Sequence, residues 1–449
     1  MKIYNMKNIF LNVFVLLSFN GTFFSQNSKS ADSSIQKKIE KLEEFEKKAS
    51  KIKVTGWVQA QFQIAESRGQ NSYDGGNFAT GQFDRFMIRR GRVKFTYSQN
   101  LSQYVLQMNA TERGVNLVEI FAKVTDPWTK SVSLTSGVMN RPFGFEIQQS
   151  SADRETPERS RYVQMLLPNE RDLGVMSTFQ PLKGKKLFGL KLEAGIFSGN
   201  GIYVPGTGST GTTGNTTAAG LIDTDNFKDI MARLHYKKSF KEEKYNLGIG
   251  ASHYFGAIAY QNDNVYNHIE TDNSGKKSWI AENQGGFTGK RAPRIYFAAE
   301  FQFAMKSLIG TTTIRGEYMT GTQSGSLSES KSPNIVTYNT SETVIRKFNG
   351  GNVYLVQRIG KTKHEIVAKY EWYDPNTLLS SNDFSSGTSF KAAELKYDML
   401  GIGYVNYWDE NVKFMIYYNL VKNESANGIS GYEKDKLDNV LTFRMQYRF

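Results

Sequence analysis

From Ile52 to Phe449 apolar and polar residues alternate with a period of two, in segments of about nine to fifteen residues separated by turn-rich stretches. Strand side chains point alternately to the two faces of a sheet, so this is the signature of strands with one apolar face; a tilted membrane strand needs ~9–11 residues, and these segments suffice. Strands are predicted near 52–64, 83–97, 102–111, 117–125, 131–139, 172–179, 187–198, 227–236, 245–255, 294–304, 309–319, 350–359, 363–373, 394–405, 412–420 and 439–449. Their connections are of two kinds. Every second one (98–101, 126–130, 180–186, 237–244, 305–308, 360–362, 406–411) has three to eight residues, whereas 65–82, 140–171, 199–226, 256–293, 320–349, 374–393 and 421–438 have 18 to 38, and only 112–116 breaks the alternation. Sixteen strands with short turns at one end and long loops at the other predict an all-β fold, a transmembrane antiparallel 16-stranded β-barrel.

The last segment carries the pattern most sharply. Leu441, Phe443, Met445, Tyr447 and Phe449 alternate with Val440, Thr442, Arg444, Gln446 and Arg448, as lipid outside and water inside require. An aromatic at the end of such a strand resembles the terminal signal that the barrel assembly machinery of the outer membrane reads.

Two N-terminal stretches break the alternation. Lys2 and Lys7 followed by Ile9–Leu17 read as a secretory signal peptide over 1–25, with cleavage expected after Ser25. Residues 26–50 are predicted as a periplasmic amphipathic helix, with Ile35, Ile39, Leu42, Phe45 and Ala49 on one stripe over 32–50. Barely two heptads are present, so a solvated spacer competes with a short trimerising coil. The barrel domain is then 51–449.

Composition fits this division. Hydrophobic residues are 39% of the 449, low for a packed soluble core, while a wide barrel with water inside needs none. After residue 25 no run approaches the ~20 apolar residues of a spanning helix. With no Cys there is neither a disulfide framework nor a lipidated N-terminal Cys. The net charge is +13, or +11 without Lys2 and Lys7. Behind an export signal, such a charge points to small anions or acidic lipid head groups and not to nucleic acid.

In FDRFMIRRGRVKFTY (83–97) the alternation sends Gly91, Val93, Phe95 and Tyr97 to lipid and Arg90, Arg92 and Lys94 to the lumen as a column at i, i+2, i+4. Like charges in a column repel, and the reading is that water and passing anions solvate them, as Arg and Lys arrays do in anion pores. The competing reading is that carboxylates of other strands neutralise them. Lys123, Arg315, Lys369, Arg444 and Arg448 are further lumen positions, opposed by Glu119, Glu317, Glu365 and Glu371. The 32-residue loop 140–171 could fold inward and form a constriction with Arg141, Arg154, Arg159, Arg161 and Arg171, or pair them locally with Asp153, Glu155, Glu158 and Glu170.

FMIRRGRVKF (Phe86–Phe95), RPFGFE (Arg141–Glu146), PNERDLGV (Pro168–Val175) and IFSGNG (Ile196–Gly201) resemble motifs of the phosphate-selective porin O and P family, over Ile52–Phe449 and most densely at 83–201. The resemblance implies a sixteen-stranded, usually trimeric outer-membrane channel that binds phosphate-type anions. Arg89, Arg90 and Arg92 match the family's basic strand, and Arg141 stands where a Lys is common.

Enzyme chemistry is poorly supported. His235, His253, His268 and His364 have no partner at metal-ligand spacing, and Gly206, Gly208 and Gly211 satisfy G-x-G-x-x-G only inside a Gly/Thr-rich loop without the strand and helix a nucleotide site needs. The expectation is an anion-preferring porin with no cofactor, metal or catalytic residue. General porins for neutral or mixed solutes and surface adhesion or scaffold barrels are the alternatives.

Overall fold

A computed structural model describes residues 28–199, 203–204, 220–221, 225–282, 285–333 and 342–449. The predicted leader and the glycine motif at 206–211 lie outside the described residues.

The N-terminal unit contains helix α1 (Ser28–Ala49). Its apolar stripe is uncovered, with Ile35, Leu42 and Phe45 each more than half exposed. A Glu44–Lys48 pair one turn apart and Lys47 and Lys48 against the C-terminal dipole support the helix.

The second unit is built from β1 (Ile52–Ala65), β2 (Asp84–Gln99), β3 (Ser102–Thr111), β4 (Gly114–Thr125), β5 (Val132–Asn140), β6 (Arg171–Phe179), β7 (Leu190–Phe197), β8 (Tyr203–Val204), β9 (Gly220–Leu221) and β10 (Asp229–Phe240). It continues with β11 (Tyr245–Ala259), β12 (Val265–Thr271), β13 (Lys277–Glu282), β14 (Arg291–Ser307), β15 (Gly310–Gly325), β16 (Thr343–Arg358), β17 (His364–Asp374), β18 (Tyr397–Tyr407), β19 (Val412–Asn423) and β20 (Val440–Arg448). Leaving aside the hairpins β8–β9 and β12–β13, sixteen of these strands pair antiparallel with their neighbours. The ladder closes where β1 meets β20, from Trp57 opposite Arg448 to Ala65 opposite Val440. Closure leaves no sheet edge in the wall, which a membrane span requires.

All sixteen predicted strands fall on this wall. The outer surface is apolar: Val58, Phe297, Phe301, Leu355, Ile366, Ile402, Phe443, Met445 and Tyr447 are exposed, while Gln59, Glu300, Glu365, Arg444 and Gln446 are buried inside. Wall height varies around the barrel, from 8–12 residues in β3–β7 to 16–17 in β14–β16.

Two expectations change. The connection 256–293 contains the β12–β13 hairpin, whose first residues also pair parallel with β16 at Val265–Thr343 and Tyr266–Val344. More consequentially, the interior is not simply water. Phe143, Ile147, Tyr162, Val163, Met165, Leu166 and Leu167 of the 140–171 loop pack inside the barrel on Met231, Tyr254, Tyr296, Met319, Phe348 and Tyr373 of the wall. A low aliphatic content therefore coexists with an aromatic core, to which one loop and the inward positions of these six strands contribute.

Candidate functional site

The loop enters the barrel through backbone that only a small residue permits. Gly144 has φ +53, and a Cβ there would lie 2.5 Å from Glu317 Oε2. Its N–H donates to Ser252 Oγ at 3.0 Å, and the next N–H, of Phe145, donates to Glu317 Oε2 at 2.6 Å, starting the four-residue helix α2 (Phe145–Gln148). A second short helix, α3 (Arg161–Leu166), follows; Arg161 N–H donates to Glu371 Oε1 at 2.8 Å and the Tyr162 hydroxyl to Glu317 Oε1 at 3.0 Å. Gly144→Val should release the loop: left-handed backbone alone costs about 1–2 kcal/mol for a branched side chain, and the carboxylate overlap adds to it. Protease cleavage within 145–166, absent from the parent in detergent, is the expected readout.

Between the two helices the loop delivers carboxylates to the predicted arginine column. Arg89 binds Glu158 through Nε–Oε1 at 2.8 Å and Nη2–Oε2 at 2.9 Å, and Arg90 through Nη2–Oε2 at 2.7 Å. Arg444 joins them at 3.1 Å from across the β1–β20 seam. Arg89 and Arg90 are sequence neighbours, so a common partner inside the barrel means that the strict alternation of β2 slips by one residue there. Of the expected column Arg90, Arg92 and Lys94, Arg90 meets Glu158 of the loop and Lys94 meets Glu119 of β4, so carboxylates and not only water and passing anions stand beside it.

The other predicted positions divide by partner. Lys94 and Arg171 share Glu119 at 3.0 and 3.2 Å, Arg315 binds Glu155 at 2.6 Å, and Arg448 binds Asp153 at 2.7 Å. Lys369 pairs with Glu146 and Glu371. Arg92 stands over the Trp57 ring at 5.8 Å. Of the loop arginines, Arg141 donates to the Pro168 carbonyl and ties the loop ends together, Arg159 donates to the carbonyls of Glu146 and Gln149 and pairs with Glu170, and Arg161 is stacked between Tyr73 and Tyr397. Arg154 is 1% exposed, and none of its guanidinium nitrogens has a hydrogen-bond partner; Glu158 and Glu146 attract it by charge. Lys123 stands apart, on a cavity near the short turns with Lys130 and Lys183.

Burial alone would raise the Glu158 carboxyl, but Arg89, Arg90, Arg444 and Arg154 reverse the effect and hold it well below the ordinary carboxylate range. Such a depressed group contributes stability above its unfolded value of about 4.3, lost as pH falls through the folded value. Loop order should therefore be unchanged from pH 7 to about 5 and fail only in stronger acid. Conductance recorded against pH tests this, with Glu158→Gln removing the Glu158-dependent part of the transition.

Cavities lie on both sides of the loop. Toward the long connections, one of about 630 Å³ is lined by Tyr73, Tyr397 and Tyr432, by Arg161 and Lys436, and by Asp74, Glu329 and Asp438, so both signs are present. Toward the short turns, one of about 830 Å³ is lined by Lys191, Arg233, His235, Lys237, Lys238 and Arg315, with no carboxylate residue among its described lining. Glu300 and Glu193 stand behind Arg233 at 2.6 and 3.5 Å. The Arg233–His235–Lys237 column is the feature sequence reading missed. Its signal was present, since ARLHYK alternates as β2 does, with Leu234 outward and exposed.

Sequence comparison is silent: no protein-family model matches this chain, and no curated protein does. Solved structures align along most of it. An outer membrane channel, DcaP of Acinetobacter baumannii, aligns at 11% identity and TM-score 0.49, covering 89% of this chain and 97% of the other. An anion-selective porin from Comamonas acidovorans aligns at 9% and 0.47, covering 89% and 99%. A loop L8 deletion mutant of OmpT, an outer membrane protein of Vibrio cholerae, aligns at 10% and 0.47, with the same coverage. The barrel assignment rests on the closed strand ladder of this chain itself.

Proposed function

We propose that this chain is an outer-membrane porin that lets small solutes diffuse passively with a preference for anions, phosphate-type oxyanions among them. The observation that carries this is the 830 Å³ cavity at the short-turn end, whose described lining holds five Lys or Arg residues and a histidine and no Asp or Glu. Low-dielectric walls focus that field on an ion crossing the mouth, and weak sites in series allow the ion to leave. Export by a cleaved 1–25 leader and insertion by the barrel assembly machinery belong to the same reading. So does a homotrimer packed through the low β3–β7 wall, where outward Val124, Leu134, Val175, Leu192 and Ile196 are exposed.

A general porin for neutral or mixed solutes is favoured by a different observation: Glu158 and Glu119 neutralise much of the β2 column. Processed protein in a planar bilayer under a KCl gradient separates the two. A reversal potential of anion-selective sign, with chloride current reduced by added phosphate, is expected; a cation-selective sign would overturn the anion reading, and phosphate without effect would leave a general porin.

A further inference from the structure

We infer that the Arg89–Arg90–Arg444 cluster is a carboxylate-binding station of the lumen, and that Glu158 occupies it as a built-in competitor of carboxylate solutes. The inference rests on the porin reading and narrows the solute class.

The geometry is that of a receptor with its ligand in place. Arg89 presents Nε and Nη2 to the two oxygens of Glu158 at 2.8 and 2.9 Å. Arg90 presents Nη1 and Nη2 to the same two oxygens at 3.3 and 2.7 Å. Two parallel-bond forks thus converge on one planar, two-oxygen anion, the geometry for which guanidinium and carboxylate are matched. Arg444 adds a fifth bond at 3.1 Å.

The forks are themselves held by neutral acceptors of the wall. Gln59 Oε1 accepts from Arg90 Nη1 at 3.1 Å, and Gln61 Oε1 accepts from Arg444 Nε at 2.9 Å. Gln59 and Gln61 are buried on β1, so Arg90 and Arg444 have support that does not depend on Glu158. All three arginines come from the barrel wall, whereas the anion comes from the loop. Their site is thus separable from its occupant. Substitution of one carboxylate for another conserves charge, bond number and planarity. A tetrahedral oxyanion conserves neither the planarity nor the two-oxygen count that the paired forks match. A solute carboxylate entering the site displaces Glu158 and frees the loop segment between α2 and α3 from the β2–β20 wall.

The test uses full-length processed protein in planar bilayers and acetate, phosphate and chloride as potassium salts. In Glu158→Ala, acetate should reduce chloride current with an apparent affinity at least tenfold higher than in the parent, while phosphate gains severalfold less. Equal gains for acetate and phosphate, or no gain for acetate, would overturn the inference. Should Glu158→Ala not fold, the parent suffices: acetate at constant ionic strength should speed protease cleavage within 149–160 relative to chloride, and equal rates would overturn it. The parent's reversal potential in KCl alone is read in the same bilayers; a cation-selective sign there would sink the anion preference while leaving the acetate comparison interpretable.

Discussion

Excising 145–166 and joining Gly144 to Leu167 through a short Gly/Ser link should leave a folded barrel with a severalfold higher single-channel conductance and a broader solute range. The wall ladder does not need the segment, because β5 and β6 remain paired from Val132–Phe179 to Asn140–Arg171. The loop ends already meet, with Arg141 N–H donating to the Glu170 carbonyl at 3.1 Å. What the deletion removes is a plug. Fully burying a large apolar side chain contributes roughly 1.5–3 kcal/mol over leaving it exposed, and Phe143, Phe145, Ile147, Tyr162, Val163, Met165 and Leu166 are all buried around this segment. Their sum exceeds the ~3–5 kcal/mol at stake when one partner of a buried pair is lost. Apolar packing is therefore the main attachment of the loop, and the ion pairs set its register. Single substitutions at the pairs should loosen the loop without expelling it, whereas the deletion should open the lumen. Conductance unchanged by the deletion would mean that ions pass elsewhere.

Reversing charge at the short-turn cavity is the second large effect. Lys191→Glu with Lys237→Glu replaces two cations by two anions in a lining whose described residues include no Asp or Glu. At physiological salt a charge acts over about 8 Å, so a permeating ion in the cavity feels both sites. The ratio of chloride to potassium permeability should fall severalfold; Lys191 pairs with the buried Glu193 at 2.6 Å whereas Lys237 is exposed to the cavity, so Lys237→Glu alone should leave heat-dependent gel mobility unchanged. Alanine at Arg90 and Lys94 is predicted to behave differently. It strips cations from the buried Glu158 and Glu119, and so should loosen the loop as well as shift selectivity.

The wall was readable in sequence because one physical rule governs it: hydrocarbon on one face and polar groups on the other impose period two on every strand. The rule weakens where the wall rises beyond the bilayer. Gly321–Gly325 of β15 pairs with Val344–Phe348 of β16 beyond the predicted strand ends, and the GTQSG side of that ladder has the composition of a loop. The site was legible as residue types and not as partnerships. Arg89, Arg90 and Arg444 stand out in the sequence as basic residues of amphipathic strands, but the carboxylate that joins them is 68 or more positions away, and no local pattern encodes it. The same holds for Arg294, fully buried against Asp229 at 3.2 Å and bonded to the Leu166 carbonyl of the loop. The inward fold of 140–171 leaves one local trace, the RPFGFE run, in which a glycine between two aromatics marks close approach to the wall.

Because the chain has no cysteine, a pair of them can report directly on whether this loop crosses the lumen. Asn352 Nδ2 of the wall donates to Ser160 Oγ of the loop at 3.0 Å, both side chains being buried. In Ser160→Cys with Asn352→Cys, oxidation or a short bifunctional thiol reagent applied in the membrane should cross-link the two positions, each single variant serving as control. A loop docked inside the barrel gives a rapid, near-complete cross-link with little change in conductance. Two thiols that stay free and unconnected would contradict it.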